Sequence, residues 1–140
     1  MLYKKVKPND YKYELAQTFQ IQTGLEIDKD LLYNYVGLGQ KGFLTIFTGY
    51  RWDGASGVAI DTKNFMIGSL VHDSLYQLMR KGILDISYRD KVDRLLEKIC
   101  IDNGMSRLRA ANVYYAVKLF GKKYALPEIE NVEQDKIFKV

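Results

Sequence analysis

Residues 53–93 read DGASGVAIDTKNFMIGSLVHDSLYQLMRKGILDISYRDKVD, and this stretch decides the fold of the chain. It begins with a turn-forming, oxygen-rich segment and then contains the only histidine, His72, followed directly by Asp73. Apolar residues recur at three- and four-residue spacing from Phe65 to Lys81, which predicts an amphipathic helix. Gly82 is a suitable stop for that helix.

A second helix is predicted to begin near Ser87, a good N-cap residue. Asp90 follows three positions later, in a pattern that resembles a capping box. Asn103 and Gly104 would end this helix. The connection from Gly82 to Ile86 is short, so the two helices should be antiparallel neighbours.

His72 and Asp93 each fall on the margin of an apolar stripe, one on each helix, while Asp73 points in a different direction from His72. Residue counts leave an offset of about one helical turn between His72 and Asp93. Small tilts and the length of the imidazole could close that offset, so a hydrogen bond between the two is feasible. Such a bond would fix the tautomer of the ring and leave its other nitrogen to take a proton from water. This chemistry is typical of a hydrolase.

Oxygen ligands for a cation are grouped in the same stretch. Asp73 could supply one carboxylate, and the turn of Asp53, Gly54 and the next three residues could supply a second carboxylate and backbone carbonyls. Oxygen-only ligation of this kind suits calcium. Ca²⁺ is therefore the candidate cofactor, and Asp53, Gly54 and Asp73 are the candidate ligands.

The HDSLY sequence at residues 72–76, followed by Asp93, resembles the active-site helices of phospholipase A2, most closely the small bacterial and fungal secreted type. The resemblance implies that His72 is the catalytic base, that Asp93 orients it, and that Tyr76 supports the pair. It also implies a loop aspartate and the aspartate after the histidine as calcium ligands. The secreted enzymes join the metal loop to the histidine helix by disulfides, whereas this chain has the single cysteine Cys100.

A second resemblance covers most of the chain. The segments YRWDGASG (50–57), SLVHDSLYQLMR (69–80) and RAANVYYAVKLFG (109–121) resemble a family of small phage and prophage proteins with a domain of unknown function. This resemblance implies a phage or prophage origin, in the host cytoplasm or the virion, and it implies no activity.

The predicted fold class is α+β, with a small N-terminal antiparallel sheet followed by a three-helix, phospholipase A2-like half. Alternating side chains predict a strand over 11–22, and further strands are predicted over 31–36 and 43–51, joined by a glycine-rich hairpin loop at 37–42. The third helix is predicted over 106–121, with apolar residues that should close the core. The chain is interpreted as one domain, 1–140, with these parts: 1–52 mostly β, 53–64 candidate metal loop, 65–121 helical, and 122–140 tail.

Composition restricts the classes of function. The net charge of +4 and the pI near 9.0 allow attraction to phosphates of lipid or nucleic acid. No basic helix or aromatic RNA-binding motif indicates nucleic-acid binding. The sequence shows no signal peptide and no stretch of transmembrane length. A lone cysteine fits a reducing compartment, and Cys100 lies on the apolar side of its helix, where a core thiol is expected.

Two functions remain open from the sequence. The first is a calcium-dependent acyl-ester hydrolase of phage origin, acting on a phospholipid or other acyl-ester surface with His72 activating water. The alternative is a noncatalytic phage accessory or virion protein that uses the same scaffold to bind a phage or host protein. In that case Asp73 would be solvated or would pair with Arg80, and Asp93 would pair with Arg89. Trp52 could be a membrane-interface anchor or could pack the sheet against the helices.

Overall fold

The computed structural model describes residues 1–6, 12–54 and 62–128. The first half of the chain forms two small antiparallel sheets and the second half is helical, which confirms the α+β class. The strands are β1 (Tyr3–Lys5), β2 (Tyr13–Leu15), β3 (Phe19–Gln22), β4 (Leu31–Tyr33), β5 (Val36–Leu38), β6 (Phe43–Ile46) and β7 (Arg51–Trp52). The helices are α1 (Lys63–Arg80), α2 (Arg89–Asp102), α3 (Arg107–Phe120) and the short α4 (Lys122–Ala125).

The two sheets divide the β half between them. One has the order β1-β2-β7 and the other β3-β6-β5-β4. The prediction of one strand over 11–22 is therefore wrong, because β2 pairs with β7 whereas β3 pairs with β6. The chain bends after Leu15, where the amide of Ala16 donates to the carbonyl of Leu2. Tyr11 lies outside the described residues.

The predicted strand over 31–36 is also wrong, because β4 and β5 form a hairpin that pairs Tyr33 with Val36. Asn34 enters the left-handed region in this turn, with φ of 48°, a conformation that asparagine tolerates better than most residues. The predicted strand over 43–51 is interrupted by a turn at Gly49, which has φ of 98°. The glycine-rich hairpin loop is confirmed between β5 and β6, although Gly37 itself belongs to β5.

The helix boundaries follow the sequence signals closely, with one exception. α1 ends at Arg80, and Gly82 adopts φ of 73° just after it, as expected of a helix stop. Ser106 caps α3 by accepting a hydrogen bond from the amide of Arg109. The predicted cap at Ser87 is wrong, because a 3₁₀ turn over Ile86–Tyr88 precedes α2 and the Ser87 hydroxyl donates to Asp85.

The sheet with β7 packs directly on α1. Trp52 is only 1% exposed, and its indole nitrogen donates to Oγ of Ser69 at 3.1 Å. Trp52 therefore packs the sheet against the helices rather than contacting a membrane. Cys100 is buried between helices, and burial raises the pKa of its thiol to about 11, as expected of a core thiol.

The third helix closes the core with only one of its faces. Val113, Tyr114 and Val117 are buried. The prediction that this helix closes the core holds for that face, whereas several of its other apolar residues are exposed, namely Leu108, Tyr115, Leu119 and Phe120. Among the described residues, no helix is both long enough and apolar enough to span a bilayer.

Candidate functional site

The hydrogen bond that the sequence allowed between α1 and α2 is present. Nε2 of His72 lies 2.8 Å from Oδ1 of Asp93. The antiparallel packing of α1 and α2 brings the two residues together across the helix interface, although 21 positions separate them in sequence. His72 is 7% exposed and Asp93 is 1% exposed, so the carboxylate is removed from water and held by its partners.

Tyr76 donates to the same carboxylate. Its hydroxyl lies 2.6 Å from Oδ1 of Asp93, so this oxygen receives two donors. The Tyr76 ring also stacks at a tilt on the His72 imidazole, with ring centroids 4.0 Å apart, because residues four positions apart lie on the same face of a helix. Burial, followed by the bond to Asp93, raises the pKa of Tyr76 far above its ordinary value, so the phenol stays neutral and remains a donor.

Arg89 completes the network at the first residue of α2. Its Nε donates to the Tyr76 hydroxyl at 3.1 Å, and it forms a longer ion pair with Asp93, at 3.9 Å from Oδ2. The pairing of Arg89 with Asp93 that the sequence allowed is thus present, but it accompanies the histidine bond rather than replacing it. Gly121, at the turn after α3, packs closely on Tyr76, since an added Cβ there would lie 3.2 Å from the phenol oxygen.

The charge state of His72 depends on two carboxylates. Burial alone lowers the pKa of His72, but Asp73 and Asp93 together outweigh burial and raise it above 6.5. Nδ1 of His72 lies 3.8 Å from Oδ1 of Asp73, a distance too long for a hydrogen bond. Asp73 therefore acts on the ring through its charge, whereas Asp93 acts through a direct contact.

The site opens into a cavity of about 870 Å³ between the β half and the helices. Its wall includes His72, Asp73 and Tyr76 from α1, and Asp53 and Gly54 from the segment after β7. An apolar part of the wall consists of residues from three helices, namely Phe65, Leu96, Ala116, Val117 and Phe120. A mostly apolar cavity with a few converging polar groups is typical of a small-molecule site.

The candidate calcium ligands fit a cation in their chemistry. Burial raises the pKa of Asp73, and the negative charge of Asp53 raises it further, while His72 and Arg80 lower it. The two carboxylates are thus close enough to repel each other, and a bound cation would offset that repulsion. Within 1–6, 12–54 and 62–128, no three His, Cys, Asp or Glu side chains are grouped to hold a metal. Residues 55–61 of the candidate metal loop lie outside the described residues.

Sequence reasoning missed the function of Arg89 in this network. Only its spacing of four residues from Asp93 was visible, and that spacing is equally typical of a surface ion pair. Its bond to Tyr76 joins two helices and could not be read from a local pattern.

Comparisons of the chain with protein-family models, curated proteins and solved structures found no match. Function is therefore inferred from the geometry of the site.

Proposed function

We propose that this protein is a phospholipase A2-like hydrolase that cleaves an acyl ester of a lipid in a calcium-dependent reaction. The observation that carries this proposal is the 2.8 Å bond between His72 and Asp93, with His72 in the wall of a large, partly apolar cavity. The Tyr76 hydroxyl on the same carboxylate supports it further. A surface ion pair would not require a buried carboxylate oxygen that accepts two hydrogen bonds.

The geometry assigns the two nitrogens of the His72 ring different tasks. A carboxylate can only accept, so Nε2 carries the proton that is donated to Asp93. In the neutral ring Nδ1 is then the basic nitrogen. Nδ1 takes a proton from water as the water oxygen attacks the ester carbonyl, and it returns that proton to the leaving alkoxide. Asp93 stabilises the imidazolium that forms between these two steps.

Asp53, Asp73 and the carbonyl of Gly54 would hold the calcium ion. Hard oxygen donors are the ligands that calcium prefers. When bound, calcium would supply positive charge that polarises the ester carbonyl and stabilises its developing negative charge. Asp73 adjoins His72 in sequence and in the cavity wall, so the base and the cation site would contact the same ester group.

The lipid substrate is inferred from the shape and lining of the cavity. Phe65, Leu96 and Phe120 line one part of it, and burial of an acyl chain against such residues is favourable by about 0.8 kcal/mol per methylene. Phe120 is also 67% exposed, so the apolar lining continues onto the surface. An acyl chain could therefore enter from a lipid aggregate along this apolar part of the wall.

The direct test measures release of fatty acid from mixed phospholipid vesicles with calcium. We expect hydrolysis by the wild type and a loss of about a hundredfold or more in His72→Gln, because general-base catalysis contributes that much. Asp73→Asn should lose calcium-stimulated hydrolysis. Asp102→Asn removes the same charge from the exposed end of α2, where Asp102 pairs with Lys98, and should keep full activity. Full activity in His72→Gln would contradict the proposal.

The exposed side of α3, which could bind lipid or protein, also fits the alternative, a noncatalytic phage accessory or virion protein. Leu108 and Leu119 are 75% and 70% exposed, and apolar residues grouped on a surface are typical of an interaction site. This function predicts binding to a virion or host protein that Leu119→Ser weakens and His72→Gln leaves unchanged. Vesicle hydrolysis that requires His72 would rule out the noncatalytic form.

A further inference from the structure

Arg89 joins three elements of the helical half at a single guanidinium group. Its Nε donates to the Tyr76 hydroxyl on α1 at 3.1 Å. One terminal nitrogen donates to the carbonyls of Val117 and Lys118, at 2.8 and 2.7 Å, near the end of α3. The Val117 carbonyl also accepts from the amide of Gly121 at 2.8 Å, and a cation beside the last carbonyls of a helix is favourable. The guanidinium group of Arg89 thus connects the end of α3 to Tyr76, the residue that donates to Asp93.

The directions of these bonds follow from the groups involved. Arginine has donors and no acceptor, so the Tyr76 oxygen accepts from Arg89. The single hydroxyl proton of Tyr76 is then directed to Asp93, 2.6 Å away. Hydrogen bonds in such a chain polarise one another, which strengthens the bond that Tyr76 donates. The chain runs from Arg89 through Tyr76 and Asp93 to Nε2 of His72.

We propose that Arg89 is a positioning residue that holds the Tyr76 hydroxyl, and through it the Asp93 carboxylate and the His72 ring, in the geometry required for proton transfer. Tyr76 and Val117 line the cavity whereas Arg89 does not, so Arg89 acts through its neighbours rather than on a ligand. For its effect on catalysis this inference rests on the proposed hydrolase function. The chain of hydrogen bonds can be measured without any substrate.

The alternative is that Arg89 only stabilises the packing of α3 on α2, through its bonds to the two carbonyls. Tyr76→Phe separates the two cases, because it removes the link to Asp93 and leaves both carbonyl contacts of Arg89 in place. Arg89→Met keeps an apolar stem but removes the bond to Tyr76, the longer ion pair with Asp93 and both carbonyl contacts. If Arg89 acts through Tyr76, the two substitutions share one effect on the catalytic pair, and the double variant adds little to it.

The experiment records the ring N–H proton of His72 by NMR in the full chain, at a fixed pH at which nitrogen shifts show a neutral ring in every variant. The chain has one histidine, so the signal needs no assignment. We expect the proton to shift in the same direction in Tyr76→Phe and in Arg89→Met, and to the same extent in the double variant. Lys98→Met removes one positive charge from the exposed face of the same helix and should leave the signal in place.

Vesicle hydrolysis supplies the second readout. Arg89→Met should lower kcat by about tenfold or more with little change in KM, since Arg89 stabilises the reacting geometry rather than bound substrate. An unchanged histidine signal in Arg89→Met, or additive effects of Arg89→Met and Tyr76→Phe, would overturn the proposal and leave Arg89 as a fastener of α3. If the wild type shows no hydrolysis, the proposed function fails, and the NMR result still decides the positioning role.

Discussion

Asp93 is the residue on which the site depends most. Its carboxylate is almost fully buried and one of its oxygens receives donors from both His72 and Tyr76. Removing one partner of a buried ionic group leaves the other without compensation, which typically costs about 3 to 5 kcal/mol. The histidine is therefore expected to be needed for stability as well as for chemistry, so variants that keep polar atoms, such as His72→Gln, are more informative than alanine.

The raised pKa of His72 can be tested by titration of this one residue. In the protein without added calcium we expect NMR titration of the single histidine to give a pKa above 6.5, because the charges of Asp73 and Asp93 outweigh burial. Asp93→Asn should lower that pKa, since it removes the carboxylate in direct contact with the ring. Asp102→Asn, which removes a carboxylate from the exposed end of α2, should not.

The same shift fixes how stability depends on pH. The folded state binds the His72 proton more tightly than the unfolded state, so this contribution to stability is full below pH 6.5 and is lost as pH rises through the raised pKa. Urea unfolding across that window checks the sign. A stability that rises through the window in the wild type, but not in Asp93→Asn, would contradict the assignment.

At the scale of elements, α3 has two different faces. One face packs into the core with Val113, Tyr114 and Val117. The other exposes apolar residues beside Lys118 on α3 and Lys122 on α4. No aspartate or glutamate occurs from 104 to 127, so this surface is basic as well as apolar. A protein that acts on lipid would use such a surface to bind anionic vesicles.

We therefore expect vesicles that contain anionic phospholipid to bind the protein, and Leu119→Ser to weaken that binding by about tenfold. Transfer of a leucine side chain from water to hydrocarbon contributes about 1.5 to 3 kcal/mol. Leu32→Ser is the matched control, because Leu32 on β4 is 71% exposed, as Leu119 is 70% exposed. Sedimentation with vesicles measures both, and equal losses would show that α3 is not the lipid-binding surface.

The helices were easier to predict than the strands. The first and third predicted helices begin and end within two residues of α1 and α3, because their apolar periodicity is clear and Gly82 is a suitable stop for the first. The strands are two to four residues long, too short for alternation to show where one ends and the next begins. Turns at Asn34 and Gly49 divided two predicted strands, because each requires a left-handed residue that the pattern alone does not reveal.

At the scale of the whole molecule, the β half supplies one side of the site and the helices supply the other. β7 is anchored on α1 through Trp52 and Ser69. This contact places the next residues, Asp53 and Gly54, at the cavity that His72 and Asp73 also line. A cation held by Asp53 and Asp73 would therefore connect the two halves of the chain, and its binding should stabilise the whole fold.

We expect calcium to raise the thermal unfolding midpoint of the wild type. A ligand at a hundredfold excess over its Kd stabilises a protein by about 2.7 kcal/mol, which corresponds to several degrees for a chain of this length. Asp73→Asn should abolish the shift, whereas Asp102→Asn should retain it. A shift of equal size in Asp73→Asn would place the bound calcium at another part of the protein.

The sequence by itself determined the α+β class and the ends of α1 and α3, and it showed that a pairing of His72 with Asp93 was feasible, because each depends on helical periodicity and a short connection. Only the tertiary structure decided how the strands divide into two sheets, which face of α3 is exposed, and that Arg89 binds Tyr76. These features depend on contacts between residues far apart in the chain. No local pattern records such contacts, because the free energy that selects them comes from packing of the complete fold.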